Sequence, residues 1–581
     1  MAVETAYAPA PRRPWLRAGM PAFVMAIVLV TLGVFLIYPV ILIFLTSFMT
    51  QPEVFAGPRQ WGLDNWIKGF EDPRILRALG NTFLVWGLTM VISLPVSILI
   101  SWTLARTRVP CSRALEFMFW VAYMTPGGVI AWILLADPQI GILNVALRGV
   151  FTGLEDGPFN IFSLGGIVWV NLMGNGIAVK VMLLTPAFRN MDASLEEAAR
   201  VGGSSSIRTM LRITLPLMIA PIAMVFALQL VKIFQSFETE LLLGTPWGFY
   251  VYSTLIYELV RVQEPPLYSQ AAVLASLTLL IIAVIIPFQR WILSRREYTT
   301  LSGSYRPGQL DLGWWKWAVF GLLATLHFVL TGVQIGSLVL GSFMTRSGYF
   351  QIDPIFSLEH WRFVLNENLF LTALRTTLIL ASTTAVLSPI LFAVLAYILV
   401  RTRWPGRRIL DVIIWGSAAV PGMLSGLGLL MLFIGTPGLT VLYGTIWAML
   451  IVVILQGKVT GVNILKGCLV QVGKDMEEAA RVSGAGWVRA FFKIWIPLLM
   501  PTLILIGTFS FVIAASTTAG IILLASRGTI TLSILVLQYA SPINSHYEAA
   551  SVVSLMIVLL TLGLAVVARR FGAKLSVLHR E

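Results

Sequence analysis

Charge is what this sequence has least of. Only 12% of its 581 residues are Asp, Glu, Lys or Arg, against about 25% in an average soluble domain. So little charge cannot clothe a surface in water, and 57% of the chain is hydrophobic. Cysteine is almost missing as well. Cys111 and Cys468 stand far apart, with no Cys or His at ligand spacing, which argues against a disulfide framework and against a zinc site. The four histidines (His327, His360, His546, His579) are scattered. No Gly-x4-Gly-Lys-Ser/Thr phosphate loop occurs: Gly457-Lys458 is followed by Val and Gly473-Lys474 by Asp. Leu301-Ser-Gly-Ser304 lacks the second glycine of a nucleotide-binding signature. Nor is there a nucleophile–base pair or a metal cluster to mark an enzyme of another kind. We therefore expect no catalytic residues, no metal and no cofactor on this chain.

What the sequence does have is long apolar runs, about twelve of them, each near the roughly 20 residues needed to cross a bilayer. The spans are expected at 20–47, 79–105, 114–136, 162–187, 214–236 and 268–293, and at 317–343, 373–400, 409–434, 440–466, 498–524 and 548–569. The formal charge of +14 does not indicate nucleic acid, because Lys and Arg sit in short loops between the runs. That is the positive-inside pattern of a membrane protein. Arg12, Arg13 and Arg17 precede a first run that is too long for a secretory signal and has no small-x-small cleavage site after it. It reads as a retained span. The loop Arg106-Thr-Arg108-Val-Pro110-Cys-Ser-Arg113, the segment with Arg290, Arg295, Arg296 and Arg306, the cluster Arg401, Arg403, Arg407 and Arg408, and the tail with Arg569, Arg570 and Lys574 then all fall inside. The acidic loop with Asp137, Glu155 and Asp156 falls outside. Both termini come out in the cytoplasm.

The chain also repeats itself. Ser47-Phe-Met-Thr50 returns as Ser342-Phe-Met-Thr345, 295 residues later. The same spacing relates Leu63 and Trp66 to Leu358 and Trp361, Arg106-Thr-Arg108-x-Pro110 to Arg401-Thr-Arg403-x-Pro405, and Pro126-Gly127 to Pro421-Gly422. Further on, Glu197-Ala-Ala-Arg-Val201 returns as Glu478-Ala-Ala-Arg-Val482 after 281 residues. The first copy is thus longer by 14 residues, most simply around Gly141–Asn160. The expected fold class is an all-α polytopic membrane protein of two parallel six-span repeats. Its parts would be an N-terminal cytoplasmic segment (1–19), a first permease domain (20–293), a cytoplasmic linker (294–316), a second permease domain (317–570) and a cytoplasmic tail (571–581).

One segment carries functional information. Between the fourth and fifth spans of the first half runs Asp192-Ala-Ser-Leu-Glu-Glu197-Ala-Ala-Arg200-Val-Gly-Gly203-Ser, then Ile213-Thr-Leu215-Pro216. The second half has Asp475-Met-Glu-Glu478-Ala-Ala-Arg481-Val-Ser-Gly484-Ala, then Ile494-Trp-Ile496-Pro497. Acidic residues at the start suit a helix dipole, the alanines keep one face thin, the glycines permit a tight turn, and the prolines are expected to mark the start of the fifth span. A single copy could be no more than a solvated helix linking two spans. Two copies at the same topological place, with the same spacing to Ile and Pro, tell against that reading.

These segments resemble the EAA loop of binding-protein-dependent ABC importer permeases, Glu-Ala-Ala-x3-Gly-x9-Ile-x-Leu-Pro. The first copy fits throughout, and the second departs at Ile496, where the pattern has Leu. The resemblance implies the ABC type I importer transmembrane fold. It assigns ATPase coupling to Glu197, Ala198, Ala199, Gly203 and Pro216, and to Glu478, Ala479, Ala480, Gly484 and Pro497. It also implies two separate ATP-binding-cassette ATPases and a periplasmic solute-binding protein as partners, lipid around the chain, no nucleic acid, and a place in a bacterial inner membrane. The segment Phe237–Pro246 with Tyr250–Tyr257 looks like the ferric-iron-type fused permeases. Polyamine, thiamine and phosphonate permeases share the scaffold.

Polar residues inside the fifth spans suggest a path. Gln229, Lys232 and Ser236 share a helix face at i, i+3 and i+7, with Glu238 and Glu240 beyond. The second half offers Ser510, Ser516, Thr517 and Thr518. Lys232 either lines the path, or snorkels outward or pairs with Glu238, whereas Lys180, Lys458 and Arg375 read as interfacial anchors. The rival from another class is a six-plus-six secondary transporter. The paired EAA loops and the short linker tell against it.

Overall fold

The computed structural model describes residues 22–50, 60–123, 128–151, 157–192, 194–294, 310–417, 420–473, 475–541 and 544–578. Most of the linker and the repeated Pro126-Gly127 lie outside them. Among the described residues the chain is helical, without named strands. In lipid every backbone N–H and C=O must be satisfied within the chain, and a helix does this locally.

The first half runs α1 Ala22–Ser47, α2 Pro73–Arg106, α3 Ser112–Tyr123, α4 Gly128–Ala136, α5 Leu164–Gly174, α6 Ala178–Arg189, α7 Ser194–Val201, α8 Ser206–Leu230 and α9 Tyr268–Ser294. The second half repeats it as α10 Trp315–Phe343, α11 Asn368–Arg401, α12 Arg407–Gly416, α13 Gly422–Gly435, α14 Ile446–Gln471, α15 Asp475–Val482, α16 Trp487–Ser516 and α17 Tyr547–Leu578. Nine helices among the described residues are long and apolar enough to cross a membrane, or up to eleven if α3 with α4 and α5 with α6 each form one span.

Several expected straight spans are broken. α3 and α4 lie at 91° to each other, and α5 and α6 at 45°. The second break falls at Gly174, whose φ −76° and ψ −107° are not helical. The span expected at 440–466 begins only at Ile446, because Gly438 and Gly444 take φ of 86° and 75°. The span expected to reach 524 ends at Ser516, and residues 517–524 fold back as turns. The connection expected to hold the extra residues contains a short helix, Ile142–Val150, where the second half has only a turn at Thr440–Leu442.

The halves are not side by side but interleaved. α1 packs on α13 of the second half, and α10 packs on α4 of the first. Glycines let the helices approach. A Cβ on Gly428 would stand 2.8 Å from Pro39 Cβ, and one on Gly341 would stand 2.6 Å from Leu134 Cδ1. Within each half α2 packs on α6, and α11 on α14 and α16. A single apolar cluster runs through both halves.

Candidate functional site

At one end of the bundle the two repeated motifs form matching hairpins. In the first, α7 stops at Gly203, whose φ is 80°, and Ser204 N–H donates to Ala199 C=O at 2.9 Å. In the second, Gly484 has φ 81° and Ala485 N–H donates to Ala480 C=O at 3.0 Å. This six-to-one bond with a left-handed glycine is the Schellman ending of a helix, so both glycines do what their spacing implied. Glu197 and Ala198 are exposed and Ala199 is half-buried; Glu478, Ala479 and Ala480 repeat that pattern. Around them Leu195 and Val201, and the equivalent Met476 and Val482, are left uncovered, Val201 at 90% and Val482 at 82%. Each hairpin therefore offers exposed apolar side chains beside an exposed carboxylate, Glu197 or Glu478.

The other face of the first hairpin is fixed inward. Glu196 is buried, and Arg106 at the end of α2 donates to its Oε2 from Nη2 at 2.6 Å and from Nε at 3.1 Å. Thr214 Oγ1 donates to Glu196 Oε1 at 2.6 Å, and Arg106 Nη1 donates to Met191 C=O at 3.0 Å. In the second half Arg401 stands where Arg106 does. Its Nη2 donates to Leu469 C=O at 2.8 Å and Val472 C=O at 2.6 Å, and its Cζ lies 4.7 Å over the ring of Trp495, the residue in place of Thr214. The Glu477 side chain lies outside the described residues. A second tie recurs beside each hairpin: Arg189 to Glu116 at 2.6 Å, and Lys466 to Asp411 at 2.8 Å.

Pro216 and Pro497 stand in the first turn of the regular α-helical part of each fifth span, Leu215–Val231 and Ile496–Ser516, although the helical path starts earlier. α8 begins at Ser206 and α16 at Trp487, and each passes through a π-turn, Met210–Thr214 or Phe491–Trp495, just before its proline. Proline has no N–H and its ring crowds the carbonyl four residues back; the wider turn accommodates both.

Two of the cavities between the halves gather the polar residues of the fifth spans. The first, about 500 Å³, is lined by Asn171, Lys180, Gln229, Lys232, Ser236, Glu238 and Glu240 of the first half and by Gln334, Ser516, Thr518 and Ser554 of the second. The second, about 570 Å³, includes Lys232, Gln235, Gln456, Lys458 and Thr517. Glu240 is fully buried and accepts from Asn171 Nδ2 at 3.0 Å and from the Ser236 hydroxyl. Lys180 Nζ donates to Gly176 C=O at 2.6 Å, and Lys458 Nζ to Leu455 C=O at 2.7 Å. Among the described residues no group of three or more His, Cys, Asp or Glu stands ready for a metal ion.

Comparison with known proteins settles the family. The sequence profile of the binding-protein-dependent transport system inner membrane component matches residues 93–298 and again 389–577. The chain belongs to this family. The permease is 25% identical over 503 residues to the ferric transport system permease protein FbpB of Actinobacillus pleuropneumoniae, covering 85% of this chain and 70% of that one. It is also 25% identical to the putative ferric transport system permease protein FbpB 1 of Haemophilus influenzae, over 85% and 76%. A molybdate/tungstate permease protein, WtpB of Pyrococcus abyssi, matches at 28% over 40% of this chain and 92% of its own. The crystal structure of a bacterial ABC transporter that imports alginate aligns with 47% of the permease and 95% of its own chain, at TM-score 0.40 and 22% identity.

Of the path residues read from sequence, Gln229, Lys232, Ser236 and Ser516 line the first cavity of the permease and Lys232 and Thr517 the second. They are not one helix face, because α8 gives way to a 3-10 turn at Lys232–Gln235 and Ser236 lies beyond it. Ser510 lines neither cavity. It is buried on the side of α16 that packs on α11, one turn after Gly507, where an added Cβ would stand 2.7 Å from Ala385 C=O. Lys180 and Lys458 are not interfacial anchors either: both are buried and each lines a cavity. Arg375 is exposed. Sequence reasoning missed Asn171, Gln334 and Gln456, ordinary polar residues whose convergence only the broken helices create. It also placed the weight on Glu197 and passed over Glu196.

Proposed function

We propose that the permease is the channel of an ATP-driven importer whose two hairpins each receive an ATPase subunit in the cytoplasm. The observation that carries this is the pairing itself: the same exposed Glu-Ala, the same left-handed glycine and uncovered apolar side chains beside them occur twice at one end of the bundle. Glu197, Ala198, Ala199, Gly203 and Pro216, with Glu478, Ala479, Ala480, Gly484 and Pro497, form the coupling elements. ATP closure draws the hairpins together and opens the cavity to the outside. A binding protein on the opposite end delivers the solute, and hydrolysis returns the cavity to face inward. Both termini lie in the cytoplasm, and the unit boundaries are 20–293 and 317–570. ATP is hydrolysed on the partner subunits, since this chain carries no phosphate loop.

Ferric iron is the cargo we favour, because the two ferric permeases resemble the chain across both halves. The experiment co-expresses the permease with its neighbouring ATPase and binding protein in liposomes. We expect ATP-dependent uptake of radiolabelled ferric iron. Uptake of molybdate or a polyamine instead would reassign the cargo, and gradient-driven uptake by the chain alone would overturn the importer reading. In the double variant Gly203→Asp/Gly484→Asp we expect the chain to stay in the membrane while ATPase capture is lost.

A further inference from the structure

The first hairpin turns two adjacent carboxylates in opposite directions, and only the outward one belongs to the familiar motif. Glu197 faces solvent, whereas Glu196 is buried against the end of α2. Every oxygen of Glu196 is used: Oε2 by Arg106 Nε and Nη2, Oε1 by Thr214. Arg106 is itself only 2% exposed and also holds Met191 C=O, just ahead of the hairpin. These residues join three pieces of chain: the end of α2, the docking helix α7, and the π-turn that leads into α8. Arg106 C=O further accepts from Leu310 N–H at 2.8 Å, which brings the linker to the same point.

We propose that Arg106, Glu196 and Thr214 form a positioning clamp that makes the first hairpin move as one body with α2 and α8, so that displacement of α7 reaches the cavity. α8 brings Gln229 to the cavity and Lys232 follows just beyond its end, and α2 contributes Thr82, Trp86 and Thr89 to the same wall. Trp86 Nε1 donates to Gln229 C=O at 3.0 Å, so the two helices the clamp joins at one end are tied again beside the cavity. A charged pair with directional bonds fixes an angle between elements, which apolar packing of the same volume does not. The second half holds its equivalent arginine on Trp495, which stands in place of Thr214, and on two carbonyls, and the clamp is assigned to the first hairpin, where all three of its residues are described. This inference rests on the coupling reading of the hairpins.

The test uses the assembled complex with its ATPases in lipid nanodiscs, with Cys111 and Cys468 replaced by serine. Spin labels go on cysteines at Val150 and Val441, exposed positions of the two halves at the end opposite the hairpins. Their separation is read with and without vanadate-trapped ATP, beside the rate of ATP hydrolysis. In the parent we expect ATP to widen the separation. In Glu196→Gln we expect ATPase capture and hydrolysis to persist while the widened population falls about tenfold, within the usual range of coupling between sites. Arg106→Met/Glu196→Met removes the buried charges together and guards against simple misfolding. We expect it to restore the amount of chain in the membrane but not the widening. Normal widening in either variant would overturn the clamp, as would loss of ATPase capture in Glu196→Gln, which would make Glu196 a docking residue. Failure of the parent itself to capture an ATPase would overturn the coupling reading instead.

Discussion

Glu196 and Glu197 show how adjacent identical residues come to have different work. Removing the buried one leaves the Arg106 guanidinium unpaired inside the protein, which costs about 3–5 kcal/mol. Removing the exposed one leaves nothing unsatisfied. We therefore expect Glu196→Ala to lower the melting temperature of the detergent-solubilised permease by several degrees, and Glu197→Ala to leave it unchanged while weakening ATPase capture. Equal melting temperatures would contradict the burial assigned to Glu196. A similar contrast separates Glu240 from its second-half counterpart. At the matching places, 281 residues on, Glu238 and Glu240 are replaced by Ala519 and Ile521. The carboxylates on the cavity thus come from one half only. Glu240→Leu strands Asn171 and Ser236 without their acceptor, and we expect uptake to fall at least about tenfold with ATPase capture intact, measured in the same liposomes. The motif residues were legible because chemistry and spacing repeat. Glu196 was not, because nothing in a Glu-Glu pair says which side chain turns inward until Arg106, 90 residues earlier, is placed against it.

At the level of helices, apolar run length located nine of the twelve expected spans as continuous helices among the described residues, whereas 114–136 and 162–187 are bent pairs and 409–434 is divided into the short helices α12 and α13. Breaks were less visible. The π-turns ahead of Pro216 and Pro497, the bend at Gly174 and the turns at 517–524 each need a choice among helix, wider helix and loop that tertiary packing decides. The interleaving of halves was hidden for the same reason: Gly428 and Gly341 are two among 48 glycines until a neighbour comes close. Their neighbours differ. A Cβ on Gly428 meets the rigid Pro39 ring and its carbonyl, whereas one on Gly341 meets the end of a leucine side chain that can turn away. We expect Gly428→Ala to destabilise by about 1–3 kcal/mol, the usual range for overpacking, and Gly341→Ala by less. Thermal denaturation of the two purified variants checks the order.

For the whole molecule, each first span bridges the halves: α1 packs on α9 of its own half and on α13 of the other, and α10 on α17 of its own half and on α4 of the other. The first cavity lies where the halves meet. The sequence repeat made the pseudo-dimer legible, but not which elements cross over. We propose above that the paired hairpins receive the ATPases. Single cysteines at Ala198, Ala479 and, as a control at the opposite end, Val441 test it most directly, by cross-linking in membranes that also contain the ATPase. We expect a cross-link to the ATPase from both hairpin positions and none from Val441. Absence of both hairpin cross-links, or a cross-link from Val441, would contradict it.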